Sequence, residues 1–87
     1  MHEAHLMRDL MARIEAVAAA EGAARVTRVS VWLGALAHMS EAHFAEHFRE
    51  GSAGTLADGA ALDVTLSEDT THPSAQDILL RSIEVED

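Results

Sequence analysis

One apolar stripe runs through the first twenty residues and sets the terms for everything after it. Leu6, Met7, Leu10, Met11, Ile14, Val17 and Ala18 recur at steps of 1, 3, 1, 3, 3 and 1, the spacing of one face of an α-helix. Arg8, Asp9, Arg13, Glu15 and Glu21 fall largely off that face, and Gly22 stands where a left-handed C-terminal cap is expected. A helix over 3–21 begins almost at the first residue, so the earliest side chains sit on a turn whose backbone N–H groups have no intrahelical partner. A chain of 87 residues has room for one modest core. The rest of the chain must therefore cover this stripe.

The covering pieces alternate with a period of two. In RVTRVSVWL, Arg25–Leu33, Val29, Val31 and Leu33 share one face while Arg28, Ser30 and Trp32 share the other, which predicts a strand. Gly34 ends it. Ser40 is a suitable N-cap for a second helix over about 41–50, with Phe44 and Phe48 as its buried pair. Gly51, Gly54 and Gly59 break up the next loop. Leu62, Val64 and Leu66 alternate with Asp63, Thr65 and Ser67 to give a second strand, and 78–85 gives a third. Between these two lies the polar connector EDTTHPSAQD, residues 68–77, with the one proline of the chain. It reads as a loose hairpin or link. The order α-β-α-β-β predicts a two-layer α/β sandwich, a single domain over 1–87 whose three-stranded sheet carries both helices on one face.

Composition narrows the function. Six arginines and no lysine face fifteen acids, a formal charge of −9, which repels phosphate backbones and anionic lipid and attracts cations. Neither nucleic acid nor membrane is expected as a partner. With no cysteine there is no disulfide, thiolate metal site or cysteine nucleophile. No apolar run is long enough to span a bilayer, and the chain opens MHEAH where a secretory signal would place basic and then apolar residues. A cytoplasmic protein is expected. The serines stand in no nucleophile elbow or triad pattern, and no glycine-rich phosphate loop is present. No enzyme is expected.

Six histidines carry the chemistry that remains. Met-His-Glu at the start offers a terminal amine, the main-chain nitrogen of residue 2 and the His2 imidazole, which can close fused chelate rings around one ion, with the Glu3 carboxylate nearby. Nitrogen donors in a plane favour Ni(II) or Cu(II), copper the more strongly, whereas zinc prefers a tetrahedron. A large second residue keeps Met1 in place, and retention puts the imidazole where chelation needs it. A cation at a helix N-terminus costs about 0.3–1 kcal/mol, against ~8 kcal/mol for a micromolar site, so chelation prevails. Amine and imidazole must lose protons to bind, with reference pKa values of about 7.7–8.0 and 6.5, so affinity should fall below neutral pH.

The other histidines signal less. His5, one turn after His2, reads as solvated. His43 and His47 have the i, i+4 spacing by which a helix presents two metal ligands, with Glu46 and Glu50 close by. An exposed helix face explains that spacing equally well. His38 lies in the turn after the first strand, and His72, before Pro73, is expected to be mobile.

Taken together, MHE, the long first helix, ARVTRVSVWLGALAHMS with the following FAEHF, ADGAALDVTL and the closing ILLRSIEVED resemble the HypA family of hydrogenase-maturation nickel metallochaperones over nearly the whole chain. The resemblance implies Ni(II) held by Met1, His2 and the region of Glu3, and delivery to NiFe hydrogenase or another nickel enzyme with a GTPase partner or an apo-subunit. Two departures follow from it. Relatives carry a zinc ribbon with two CxxC pairs where this chain has residues 68–77, so no structural zinc is expected. Relatives also often place an acid just after the position matching Met39. Here Ser40 stands there with Glu41 next, and His38 in the same turn is a candidate replacement donor. A metal-free interaction module on the same scaffold, and a histidine-rich metal buffer using His43 and His47, are the alternatives.

Overall fold

The computed structural model describes residues 2–87, with side chains from residue 4 onward. Its elements are α1 (His2–Ala20), β1 (Arg25–Leu33), α2 (Glu41–Ser52), β2 (Ala61–Leu66) and β3 (Ile78–Glu86). The predicted order and the two-layer α/β class are both found, with bounds that move by one or two residues. The sheet runs β2-β1-β3, with β1 in the middle, parallel to β2 and antiparallel to β3.

Helix α1 ends as its glycine requires. Gly22 adopts φ +66°, a conformation that strains any residue with a Cβ. The Ala23 N–H reaches back to the Ala18 carbonyl at 3.0 Å and the Gly22 N–H to that of Ala19 at 3.1 Å, the paired bonds of a Schellman motif. The chain then turns within residues 21–24 into β1, so α1 runs antiparallel to it. Because β1 and β2 are parallel, α2 crosses back between them and is also antiparallel to β1. Both helices therefore begin at the end of the sheet where β1 finishes.

The core lies between the helices and one face of the sheet. Met7, Leu10, Met11, Ile14 and Ala18 of α1, Phe44 and Phe48 of α2, and Val29, Val31 and Leu33 of β1 are all buried. Full burial of a side chain such as Ile14 or Phe44 is worth about 1.5–3 kcal/mol. Val17, assigned to the stripe by spacing, is 41% exposed, and Leu6 is half-buried.

The sheet itself adds a core residue that alternation misses. Val26 is fully buried although it lies three positions before Val29, out of phase for a strand. The pairing shifts between Val26 and Arg28. One extra residue in β1 there resets which face each side chain takes, and the Thr27 hydroxyl donates to the Glu84 carbonyl at 3.2 Å. A second shift between Ser30 and Val31 does the same for β3, so that Leu80 and Ile83 both pack on the core.

Candidate metal centre

The end of the sheet where both helices begin also collects the turn after β1 and the connector. Residues 34–40 form that turn. The Ala37 N–H closes on the Gly34 carbonyl at 3.0 Å, and Ala37 is buried. His38 follows with φ +57° and an exposed side chain. Met39 packs on the core. Ser40 is the N-cap of α2, its hydroxyl oxygen accepting from the His43 N–H at 3.1 Å, as its position predicted. Glu41, exposed in the first turn of α2, complements the helix dipole.

Residues 68–77 are fastened rather than the loose link expected of them, and His72, expected to be mobile, makes two contacts. Asp69 accepts from the Thr71 N–H at 3.0 Å and its hydroxyl at 2.8 Å. These bonds, the Thr71 hydroxyl foremost, hold the Asp69 carboxyl below its ordinary pKa. His72 Nδ1 accepts from the Ser74 N–H at 2.9 Å, and its ring lies 4.7 Å from that of Trp32 on the open face of the sheet. Ala75 is buried. The Leu36 N–H donates to the Ala75 carbonyl at 2.7 Å, and the Gly34 N–H to that of Asp77 at 2.9 Å. Polar residues with no periodicity gave no sign of this. The connector is a strap, fastened by local side-chain turns and by the absence of a Cβ at Gly34.

Met1 and the side chains of His2 and Glu3 lie outside the described residues. The backbone of His2 opens α1. His5 Nε2 lies 3.4 Å from an Asp9 carboxylate oxygen, both side chains largely exposed, which agrees with the solvated reading. His43 and His47 stack with ring centroids 4.6 Å apart and planes 12° apart. His47 is half-buried and lines an open groove of about 360 Å³ with Ala4, Met7, Arg8, Glu50 and Gly51. This groove between the first turns of α1 and the end of α2 was not legible in the sequence. Among the described residues, no three His, Asp or Glu side chains converge as a metal cage, and no helix is long and apolar enough to cross a membrane.

A family profile described as "Hydrogenase/urease nickel incorporation, metallochaperone, hypA" matches residues 1–73. The chain belongs to the HypA family. It is 36% identical over 64 residues to the hydrogenase maturation factor HypA of Chlorobium limicola, an alignment that covers 74% of this chain and 55% of that protein. This HypA-family chain thus spans about half the length of that curated relative. Its fold matches the solution structure of the Ni metallochaperone HypA from Helicobacter pylori with a TM-score of 0.78 at 20% identity, over 98% of this chain and 97% of that one. A second solution structure of a HypA protein matches with a TM-score of 0.73 at 21% identity, over 99% and 97% of the two chains.

Proposed function

We propose that this HypA-family chain binds Ni(II) at its amino terminus, through the Met1 amine, the main chain and imidazole of His2 and the region of Glu3. It passes the ion to a maturation GTPase or to the apo-subunit of NiFe hydrogenase or another nickel enzyme, in the cytoplasm. Nickel is cargo, and no bond is made or broken in the chain. The observation that carries this reading is the family match, which starts at residue 1 and takes in all three residues.

Physical chemistry supports it. Because α1 starts at His2, the N–H groups of its first turn have no intrahelical acceptor to surrender when a metal binds there. The turn before α2 and the first residue of that helix offer the outer donors: His38 and Glu41 are exposed, whereas a Ser40 ligand would compete with its capping bond, worth about 1 kcal/mol. Residues 68–77 stand, on this reading, where relatives carry the zinc ribbon, and with no cysteine in the chain structural zinc is not part of it.

Nickel titration of the chain with a free Met1, followed by spectra that report square-planar geometry, tests the proposal. His2→Ala, and a chain with residues added ahead of Met1, should each lose that spectrum and bind at least about tenfold more weakly, a difference of ~1.4 kcal/mol. Equal binding by all three would refute the terminal chelate and leave the scaffold as an interaction module.

A further inference from the structure

β2 lies at one edge of the sheet, and its backbone shows which groups face outward. The Ser67 N–H bonds to the Leu33 carbonyl at 2.9 Å, and polar backbone groups alternate sides residue by residue along a strand. Residues 61, 63 and 65 therefore turn their N–H and C=O groups toward β1, while Leu62, Val64 and Leu66 turn theirs away from the sheet. Among the described residues no strand pairs with that outer side.

Open edges are ordinarily blunted by lysine, proline, a bulge or a covering element. β3, at the other edge, packs against α1, and its pairing with β1 shifts twice. β2 holds no lysine or proline and pairs with β1 in regular register from Ala61 to Leu66. Its apolar positions stay wet: Leu66 is 52% exposed, and Leu62 and Val64 are half-buried. Beside it an open groove of about 310 Å³ lies between α2 and the strand, lined by Ala45, Phe48, Arg49 and Leu62.

We propose that this edge takes a second copy of the chain, its β2 antiparallel to the first and centred on Val64, so that two three-stranded sheets become one. The register follows from the backbone. Outward groups must oppose outward groups, so 62, 64 and 66 pair among themselves, which also keeps both helix layers on one side of the joined sheet. Centring on Asp63 would set that carboxylate directly against its own copy. Centring on Thr65 would leave Leu62 beyond the partner's strand. Centring on Val64 pairs Leu62 with the partner's Leu66 and Val64 with the partner's Val64, and each pair exchanges both backbone bonds. The partner's Leu66 then stands beside Leu62 at the mouth of the groove.

Charge on the open face of the sheet agrees with this register. The Arg81 guanidinium reaches across β1 to the Thr65 hydroxyl at 3.3 Å and has no acid partner among the described residues. In the joined sheet Thr65 lies opposite the partner's Asp63, so Arg81 meets an acid of the other copy, and the two-fold axis repeats the contact. Asp63 keeps its own Arg28, 3.1 Å away. The charge of −9 on each copy opposes approach, but at physiological ionic strength it is screened beyond about 8 Å.

Sedimentation of the full chain tests the proposal, at about 0.15 M salt and with chelator present so that no metal bridges two copies. The native chain should pass from monomer to dimer as its concentration rises to about 1 mM. Leu66→Lys, at an exposed position, should weaken dimerisation at least about tenfold, and so should Arg81→Glu, which sets like charges across the pair. Arg81→Lys should retain it. Circular dichroism checks that each variant stays folded. Because the chain has no cysteine, Val64→Cys supplies a single thiol at the two-fold axis, where paired Cα atoms lie about 5.5 Å apart, within disulfide reach. Oxidised glutathione should link Val64→Cys into a covalent dimer at least about tenfold faster than Val17→Cys, exposed on α1. A chain that stays monomeric throughout, which leaves the edge to a strand of another protein, overturns the proposal. So does a dimer indifferent to both Leu66→Lys and Arg81→Glu, or a Val64→Cys that links no faster than Val17→Cys. Nickel takes no part in these measurements, so they stand or fall separately from the terminal chelate.

Discussion

Adding a single methyl at Gly34 should loosen the strap from the sheet. A Cβ at this position would collide with the Ala75 carbonyl group and lie 2.7 Å from the Ser74 carbonyl oxygen. Both obstacles are main chain, so neither can swing aside as a side chain would. Relief requires the strap to retreat, which endangers the Gly34 N–H to Asp77 bond at 2.9 Å and the Leu36 N–H to Ala75 bond at 2.7 Å. Overpacking of this kind costs about 1–3 kcal/mol, and each backbone bond lost adds about 0.5–1.5 kcal/mol. Against this, alanine narrows the unfolded ensemble by ~0.4–1 kcal/mol. Gly34→Ala should therefore destabilise the domain by about 2–4 kcal/mol, a large share of the ~5–15 kcal/mol that holds a domain together. Urea unfolding followed by circular dichroism measures the loss. Trp32, whose ring lies 4.7 Å from that of His72 in the strap, reports the displacement by a changed native-state emission. A shift under about 0.5 kcal/mol with unaltered Trp32 emission would refute the reasoning.

Other perturbations act on separate parts of the molecule. Phe44→Ala empties a fully buried position and should cost about 3–5 kcal/mol, read as a lowered thermal midpoint. Ser40→Ala removes the acceptor for the His43 N–H and should cost about 1 kcal/mol, with fraying of the first turn of α2 visible as faster amide exchange at His43. The Asp69 carboxyl is lowered by its bonds to Thr71, so its contribution is present above the unfolded-state value and is lost as pH falls through the folded one. The Thr71 amide resonance should accordingly move at a pH below the usual aspartate range, and in Asp69→Asn that movement should vanish.

The layers were legible because their signals are local. The spacing of Met7, Leu10, Met11, Ile14 and Ala18 reports one helix face wherever the helix packs, and Phe44 and Phe48 do the same for α2. Val17 and Val26 went astray for opposite reasons. The stripe is wider in the sequence than the sheet it meets, which leaves Val17 outside, while the shift beside Thr27 brings Val26 in and leaves no mark on strict alternation. The strap was misjudged because its order arises from contacts distant in sequence, Gly34 against Ala75 and Trp32 against His72. At the proposed metal centre, Met1, His2 and Glu3 came from the family resemblance and the chemistry of a chain start. The i, i+4 spacing of His43 and His47 was visible, but the groove holding His47 depends on where α1 falls beside α2, which no spacing encodes.

The position of the strap bears on how such a chain can change length. It leaves β2 at one edge of the sheet, passes the finishing end of β1 and enters β3 at the opposite edge, so its two anchor points are set by strands already paired to the centre. Lengthening it disturbs no ladder, and each doubling of a flexible loop adds only about 0.6 kcal/mol of closure entropy. Whole modules can be grafted or excised there as passengers. Whatever is grafted rides on the same pole of the molecule as the opening turn of α1, within sight of any ion carried there.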